Sequence, residues 1–593
     1  MCGICGELRF DGQAPDPAVL ARMTATLARR GPDGSGEFRD GPVALGHRRL
    51  AVIDLSARAA QPMRDAAAGL ALVFNGTIYN YPELRAELRA LGHRFNSDGD
   101  TEVILRAYAE WGEDCTTRLH GMFAFAIWDA RRQRLFLARD RFGIKPLYYS
   151  ITRQGFRFAS TSQALLAAGG LDTDFDPVAL HHHFTLHAVV PAPRTILRGL
   201  RKLAPGHALT VTPQRARRLQ RYWRLDPAPG HAGYSERDWI EAVHTALREA
   251  IRKRLEIADV PVGLLLSGGL DSSLLVALLA EAGVRELLTF SVGFEDQPEE
   301  RGSEFEYSDP VAARYATRHH RFVIPNSEVL ARLPEAVDNM AEPMVGQDAV
   351  AFYLLGERVS QHVKVVQSGQ GADEVFGGYF WYPQMAAAQG SDIERFAPRY
   401  FDRDHAEWLR MLERRWHGPD YTSPHVAHGL ATCGGDDFAN RVLAFDVTTL
   451  IVDDPVKRVD NMTMAWGLEA RVPFLDQHLV ELVAGMPSAL KLRSGGKHPL
   501  KVIARGLLPD AVIDRPKGYF PVPALKFVRG AALRFMQEVV DSQACRERGL
   551  FRRDYVETLL ANPERMHTRI LGNKLWHLAL LEFWLQRNVD KSL

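Results

Sequence analysis

The chain has 593 residues, 46% hydrophobic and 24% charged, with 73 Lys and Arg against 72 Asp and Glu. That length needs more than one core, and a net charge of +1 leaves no overall field to hold nucleic acid or a membrane, so binding must come from local sites. Five scattered cysteines exclude a disulfide framework and imply a reducing compartment; with no signal peptide and no apolar run long enough to span a bilayer, a cytoplasmic chain is expected.

The opening "MCGICGELRF" places Cys2 directly behind the initiator methionine. Removing Met1 would leave a cysteine whose free amine sits beside its own thiol. The other reading is a CxxC pair with Cys5. One such pair makes a poor zinc site, and "ELRF" alternates like a strand instead of opening a helix as a redox pair would. Cys5 reads as a small buried hydrophobe. Further along, "LALVFNGTIYN", "MFAFAIWD", "RLFLARD" and "GFRFAST" read as strands, and "NYPELRAELRALG" as a helix after the first of them. Residues 1–225 are therefore a β-rich α+β domain. "HHHF" at 181–184 reads as part of a helix, with no acidic or cysteine partner spaced for a metal. "RLDPAPGHAGYSERD" carries two prolines and two glycines and places a linker at 226–236.

From 237 to 593 the texture changes. Ser235 and Asp238 resemble a capping box, and Ile240, Val243, Leu247 and Ile251 follow at helical spacing. "VPVGLLL", "LLTFSVGF" and "HVKVVQSG" are apolar runs separated by helical stretches, which predicts a parallel sheet with helices on both faces. From about 385 the pattern is helical.

In "LLLSGGLDSS" (264–273) a strand ends at Leu266, Ser267, Gly268 and Gly269 turn, and Ser272 and Ser273 open a helix. Backbone N–H groups at a helix start, flanked by hydroxyls and glycines, suit phosphate oxygens. A Walker lysine is absent. Asp271 inside such a loop makes sense with a cation between it and the phosphates. A plain strand–helix turn is the alternative. "VVQSGQGADEVFGGY" (365–379) repeats the pattern, with Asp373 as a second ligand for that cation or, alternatively, Asp373 and Glu374 as caps of the next helix.

These motifs carry a resemblance. S-G-G-L-D-S-S resembles the pyrophosphate loop of ATP pyrophosphatases, which cleave ATP between the α and β phosphates. Cys2, with "RRGPDGSG", "LGHRRLAVID", "FNGTIYN" and "SDGDTEVI", resembles the class II glutamine amidotransferase domain, an N-terminal nucleophile fold of αββα layers. Together with "GMFAFAIWD", "RDRFGIKPLYY", "VPAPRTI", "DEVFGGY", "VDNMTMAWGLEARVPFLD", "KVIAR" and "DRPKGYFPVP", the whole resembles the asparagine synthetase family. The resemblance implies a glutaminase joined to an ATP pyrophosphatase domain that forms an amide through an acyl-adenylate. Ammonia would pass between them in a dry tunnel that keeps it neutral.

By that resemblance Cys2 is the nucleophile, with its own amine as base. Asn75 and Gly76 form the oxyanion hole, Arg49 pairs with the glutamine carboxylate and Asp100 holds its ammonium. Leu266, Ser267, Gly268, Gly269, Asp271, Ser272, Ser273, Val292, Ser368 and Gly369 contact ATP. Asp271 and Asp373 hold Mg²⁺, and Lys501 stabilises charge on the adenylate and pyrophosphate. Partners are small molecules (glutamine, ATP and a carboxylate acceptor), and a homodimer is expected from the family alone. Two positions depart from asparagine synthetases. Thr77 replaces a glutamate, so Asp100 carries more of the ammonium. Gln370 replaces a glutamate at the acceptor site, which suits an acceptor with no free amine. "SGQGADEVFGGYFWYP" with "MVGQDAVAFYLL" is most similar to bacterial family members that amidate the C-terminal carboxylate of N-acetylglutaminylglutamine, giving a compatible solute. Asparagine synthesis from aspartate is the alternative.

Overall fold

The computed structural model describes residues 2–228, 230–299, 301–515 and 522–590. Met1 and positions 516–521 of the "DRPKGYFPVP" motif lie outside the described residues.

Residues 2 to about 221 form two six-stranded antiparallel sheets. One has the order Arg201–Lys202, Tyr148–Ile151, Gly155–Ala159, Gly3–Arg9, Val43–Arg49, Gly34–Asp40. The other has the order Arg217–Arg221, His207–Val211, Arg134–Arg139, Gly121–Asp129, Leu70–Ile78, Met63–Asp65. Alternate residues of the central strands, among them Ile4, Leu45, Val73, Ala126 and Leu137, meet in one buried layer between the sheets, as two-residue periodicity requires. The opposite faces are covered by helices. Pro17–Thr26 and Ser162–Ala168 lie on the first sheet. Asp100–Trp111 lies on the second and packs Val103, Ile104 and Tyr108 against Phe74 and Phe125. This is the αββα sandwich.

The second domain opens with the helix Glu236–Glu256, whose start is the Ser235–Asp238 capping box. Its buried stripe is Trp239, Val243, Leu247, Ala250 and Ile251; the expected Ile240 is only half-buried, because Trp239 takes the inward position. A parallel sheet follows in the order Arg318–Ile324, Leu288–Phe294, Val262–Leu265, Val365–Gln367, Glu469–Arg471. The three middle strands are the apolar runs read from sequence. The two edge strands, "RHHRFVI" and "EAR", carry too little apolar character to be read that way.

The domains share their cores. Leu27, Leu165 and Leu180 of the first belong to one continuous apolar cluster with Val350, Leu354, Trp576 and Trp584 of the second. Buried ions also cross the boundary. Asp460 is bonded at 3.0 Å by both Arg30 and Lys145. Burial alone would raise the Asp460 pKa, but these two cations hold it below the ordinary aspartate range. Removing one member of such a cluster costs roughly 3–5 kcal/mol. Among the described residues no helix is long and apolar enough to cross a membrane.

Candidate active sites

The first site lies at one end of the sandwich. Cys2 directly precedes the strand Gly3–Arg9 and is 7% exposed. Its backbone N donates to Asn75 Oδ1 at 2.9 Å, so in a chain beginning at Cys2 this bond would belong to the α-amine. The Asn75 Nδ2 is buried without a hydrogen-bond partner among the described residues, which makes it a donor in waiting. Gly76 has φ 156°, and a Cβ there would stand 2.1 Å from the Met122 carbonyl oxygen; only glycine allows this close pairing of the two strands. Burial pushes the Cys2 thiol pKa up, with a backbone hydrogen bond at Leu50 and the Arg49 charge acting the other way.

Arg49 ends the strand Val43–Arg49, and its guanidinium donates to the Asp54 and Ser56 carbonyls. Asp100 opens the helix Asp100–Trp111 and accepts from the Ile78 N–H at 3.0 Å. Burial raises its pKa to about 6, and Glu469 adds to the rise. The sequence-predicted residues thus gather around Cys2 from four separate segments.

Glu469 was not anticipated. It comes from the second domain, is wholly buried, and accepts from Thr77 Oγ1 at 3.1 Å and from Arg471 Nε at 2.6 Å. Burial opposes its charge, yet the amino-terminal charge first, then Arg471 and Lys145, hold its pKa at about 2. Thr77 is the position where the family pattern places a glutamate. Here a carboxylate from the other domain stands against that threonine.

The strand Glu469–Arg471 connects this site to the second. At its far end the Arg471 carbonyl accepts from Ser368 N at 2.8 Å, and Ser368 lines a cavity of about 900 Å³. Three extended residues span about 10 Å. Leu266, Ser267, Gly269, Asp271 and Ser272 line the same cavity, as do Val292, Ser368, Gly369, Gln370, Asp373 and Lys501. Gly268 and Ser273 do not. Gly268 packs on Tyr307 with its carbonyl toward Arg515, and Ser273 is fully buried beneath the loop. The loop is braced internally, since the Ser272 hydroxyl bonds both the Ser267 hydroxyl and its N–H. Gly369 brings the second glycine turn against it; a Cβ there would stand 3.1 Å from that of Asp271.

Asp271 and Asp373 converge on one ammonium, Lys497 Nζ, at 2.6 and 2.7 Å. Neither Asp373 nor Glu374 is the N-cap of the helix Ala372–Phe376, a position taken by Gly371; Glu374 accepts from the Tyr379 hydroxyl. Lys497 was also missed from sequence. Its signal is the lysine of "GGKHPLK", four residues before Lys501. Burial lowers the Lys501 pKa, and the Lys497 charge lowers it further.

Comparison with known proteins fits this arrangement. Residues 1–223 match the glutamine amidotransferase domain model and residues 242–586 the asparagine synthase model. The chain is 30% identical to asparagine synthetase [glutamine-hydrolyzing] 1 of Bacillus subtilis, over 100% of this chain and 97% of that one. It is 33% identical to asparagine synthetase [glutamine-hydrolyzing] 3 of the same organism, over 88% and 87%. It is 29% identical to amidase chry2 of Gibberella zeae, over 90% of each. The class is therefore a glutamine-dependent amidotransferase of the ATP-dependent ligase type. The chain belongs to the asparagine synthase family.

Proposed function

We propose that this ligase converts the C-terminal carboxylate of N-acetylglutaminylglutamine to an amide, taking nitrogen from glutamine and energy from ATP. The observation that carries the reading is Gln370 on the wall of the nucleotide cavity. A neutral amide there can donate and accept, and it offers no charge to an ammonium. The cavity also runs well past the phosphate loop, to His187, Asn573 and Trp576, which gives room for a dipeptide. A specific observation favours aspartate instead: besides Asp271 and Asp373, six carboxylates, Glu304, Glu306, Asp348, Glu374, Asp446 and Asp454, line the cavity. Each already has a partner, however. Arg515 binds Glu304, Arg301 binds Glu306, Arg458 binds Asp348 and Asp454, and tyrosine hydroxyls bond Glu374 and Asp446. Burial and nearby carboxylates also push the Asp446 pKa well up.

In this reading Met1 is removed and the Cys2 amine takes the thiol proton, because a buried thiolate is costly to form alone. The sulfur attacks the glutamine side-chain amide. Asn75 Nδ2 and the Gly76 N–H hold the oxyanion. Arg49 and Asp100 hold the substrate carboxylate and ammonium. Ammonia leaves, water releases glutamate, and the ammonia follows the Glu469–Arg471 strand to the cavity. There the acceptor carboxylate attacks the α-phosphorus and pyrophosphate departs. Ammonia then displaces AMP. Lys501 stabilises the developing negative charge. The two converging carboxylates fit a divalent cation, and Asp271 and Asp373 would hold Mg²⁺, which would neutralise phosphate charge.

The test is incubation with glutamine, Mg·ATP and either the acetylated dipeptide or aspartate. The expected result is dipeptide amide, AMP and pyrophosphate in equal amounts. Asparagine formed at a higher rate than dipeptide amide would refute the choice of acceptor.

A further inference from the structure

His187 lies in the first domain's sequence but lines the second domain's cavity. It follows the helix Pro177–Thr185, and the chain there is unusual. His187 and Ala188 have φ of 54° and 63°, consecutive left-handed residues with side chains, a conformation that persists only when its surroundings enforce it. The enforcement is visible. Asp402 N donates to the Thr185 carbonyl at 2.9 Å, and Ala188 N to the His183 carbonyl at 2.8 Å. The Asp402 carboxylate, wholly buried, then accepts from His187 Nδ1 at 2.9 Å. His577 Nδ1 stands 3.5 Å from the same oxygen, and its ring meets His187 edge-on. Gly572 closes the far side; a Cβ there would meet both rings.

The imidazole is thus fixed at one nitrogen. The other, Nε2, makes no hydrogen bond to a described residue, while the side chain stays 13% exposed on the cavity wall. An oriented imidazole with one nitrogen anchored to a buried carboxylate presents its second nitrogen as a polar contact for whatever fills the cavity. We propose that His187 Nε2 hydrogen-bonds an amide group at the acetylated, amine-free end of the acceptor, making His187 a specificity residue supplied by the glutaminase half. Burial alone would lower the His187 pKa, but Asp402 outweighs it and raises it. The inference rests on the acceptor reading above.

His187→Asn is the informative change. Asn tolerates a left-handed backbone and can keep the bond to Asp402, yet it ends short of Nε2. With the acetylated dipeptide as variable substrate, His187→Asn should raise the acceptor KM about tenfold or more. The ATP KM and glutaminase activity should stay within about twofold, which also reports correct folding. His187→Gln, whose amide nitrogen reaches the Nε2 position, should recover part of the loss, and it serves as the test if His187→Asn does not fold. If the wild-type enzyme does not use the dipeptide, the acceptor reading falls and takes this inference with it. If the wild type uses it and a folded His187→Asn keeps the wild-type acceptor KM, this inference alone is overturned. One equivalent of bound zinc in the purified enzyme, lost in His187→Asn, would also overturn it, because Asp402 and the two histidines would then be metal ligands.

Discussion

Glu469→Gln should move the acid limb of the glutaminase pH profile downward. In the proposed glutaminase Asp100 must be ionised to hold the glutamine ammonium, and its pKa stands at about 6 because it is buried and because Glu469 lies within electrostatic reach. Glu469 itself is ionised at every working pH, with a pKa of about 2. Two buried like charges within coupling range, at an effective dielectric of about 20, repel by on the order of 1 kcal/mol, or roughly one pKa unit. Glutamine at 469 removes that repulsion, so ionising Asp100 becomes easier and its pKa falls. The assay is kcat/KM for glutamine hydrolysis from pH 4.5 to 8, which reports the free enzyme. The wild-type limb is expected near pH 6, and the variant limb roughly one unit lower. A limb that stays in place or rises would refute the reasoning. The same variant should be less stable. A carboxyl held at about 2 against an ordinary 4.5 contributes about 3 kcal/mol above pH ~4.5, fading as pH falls towards ~2. Glu469→Gln lacks that contribution and leaves Arg471, wholly buried, without its charge partner, so it should melt earlier at pH 7 but much more nearly like wild type near pH 2.5.

Cys2→Ala should lower glutamine-dependent synthesis at least about 1000-fold while ammonium-dependent synthesis stays within about twofold, read as amide formed from each nitrogen source; equal loss from both would mean the sites are not separate. Asp271→Asn and Lys501→Ala should each lower pyrophosphate release at least about 100-fold with either nitrogen source and leave glutamine hydrolysis measurable. Wild-type rates of pyrophosphate release in either variant would remove that residue from the nucleotide chemistry.

What could be read from the sequence follows the kind of signal each residue leaves. The strand, glycine turn and helix around 264–273 were legible because a glycine turn between an apolar strand and an apolar helix is a local pattern, complete within ten residues. Cys2 was legible because its position alone carries chemistry. The central strands announced themselves by apolar runs, but "EAR" is a three-residue edge strand with two buried ions. Its two charges pair with each other, and further partners lie far along the chain: Thr77, 392 residues away, for Glu469, and the Arg254 and Ile257 carbonyls for Arg471. Nothing local distinguishes such a segment from a solvated loop. His187 escaped notice for the same reason, since Asp402 lies 215 residues on. Buried charge paired at long range is costly to form wrongly and costly to break, which makes it well suited to fixing how two domains meet. Asp460 between Arg30 and Lys145, Glu469 on Thr77, and His187 on Asp402 all lie across the seam between the glutaminase and the synthetase halves. The contacts least visible in the sequence are therefore those that set the register between the place where ammonia would form and the place where it would be used.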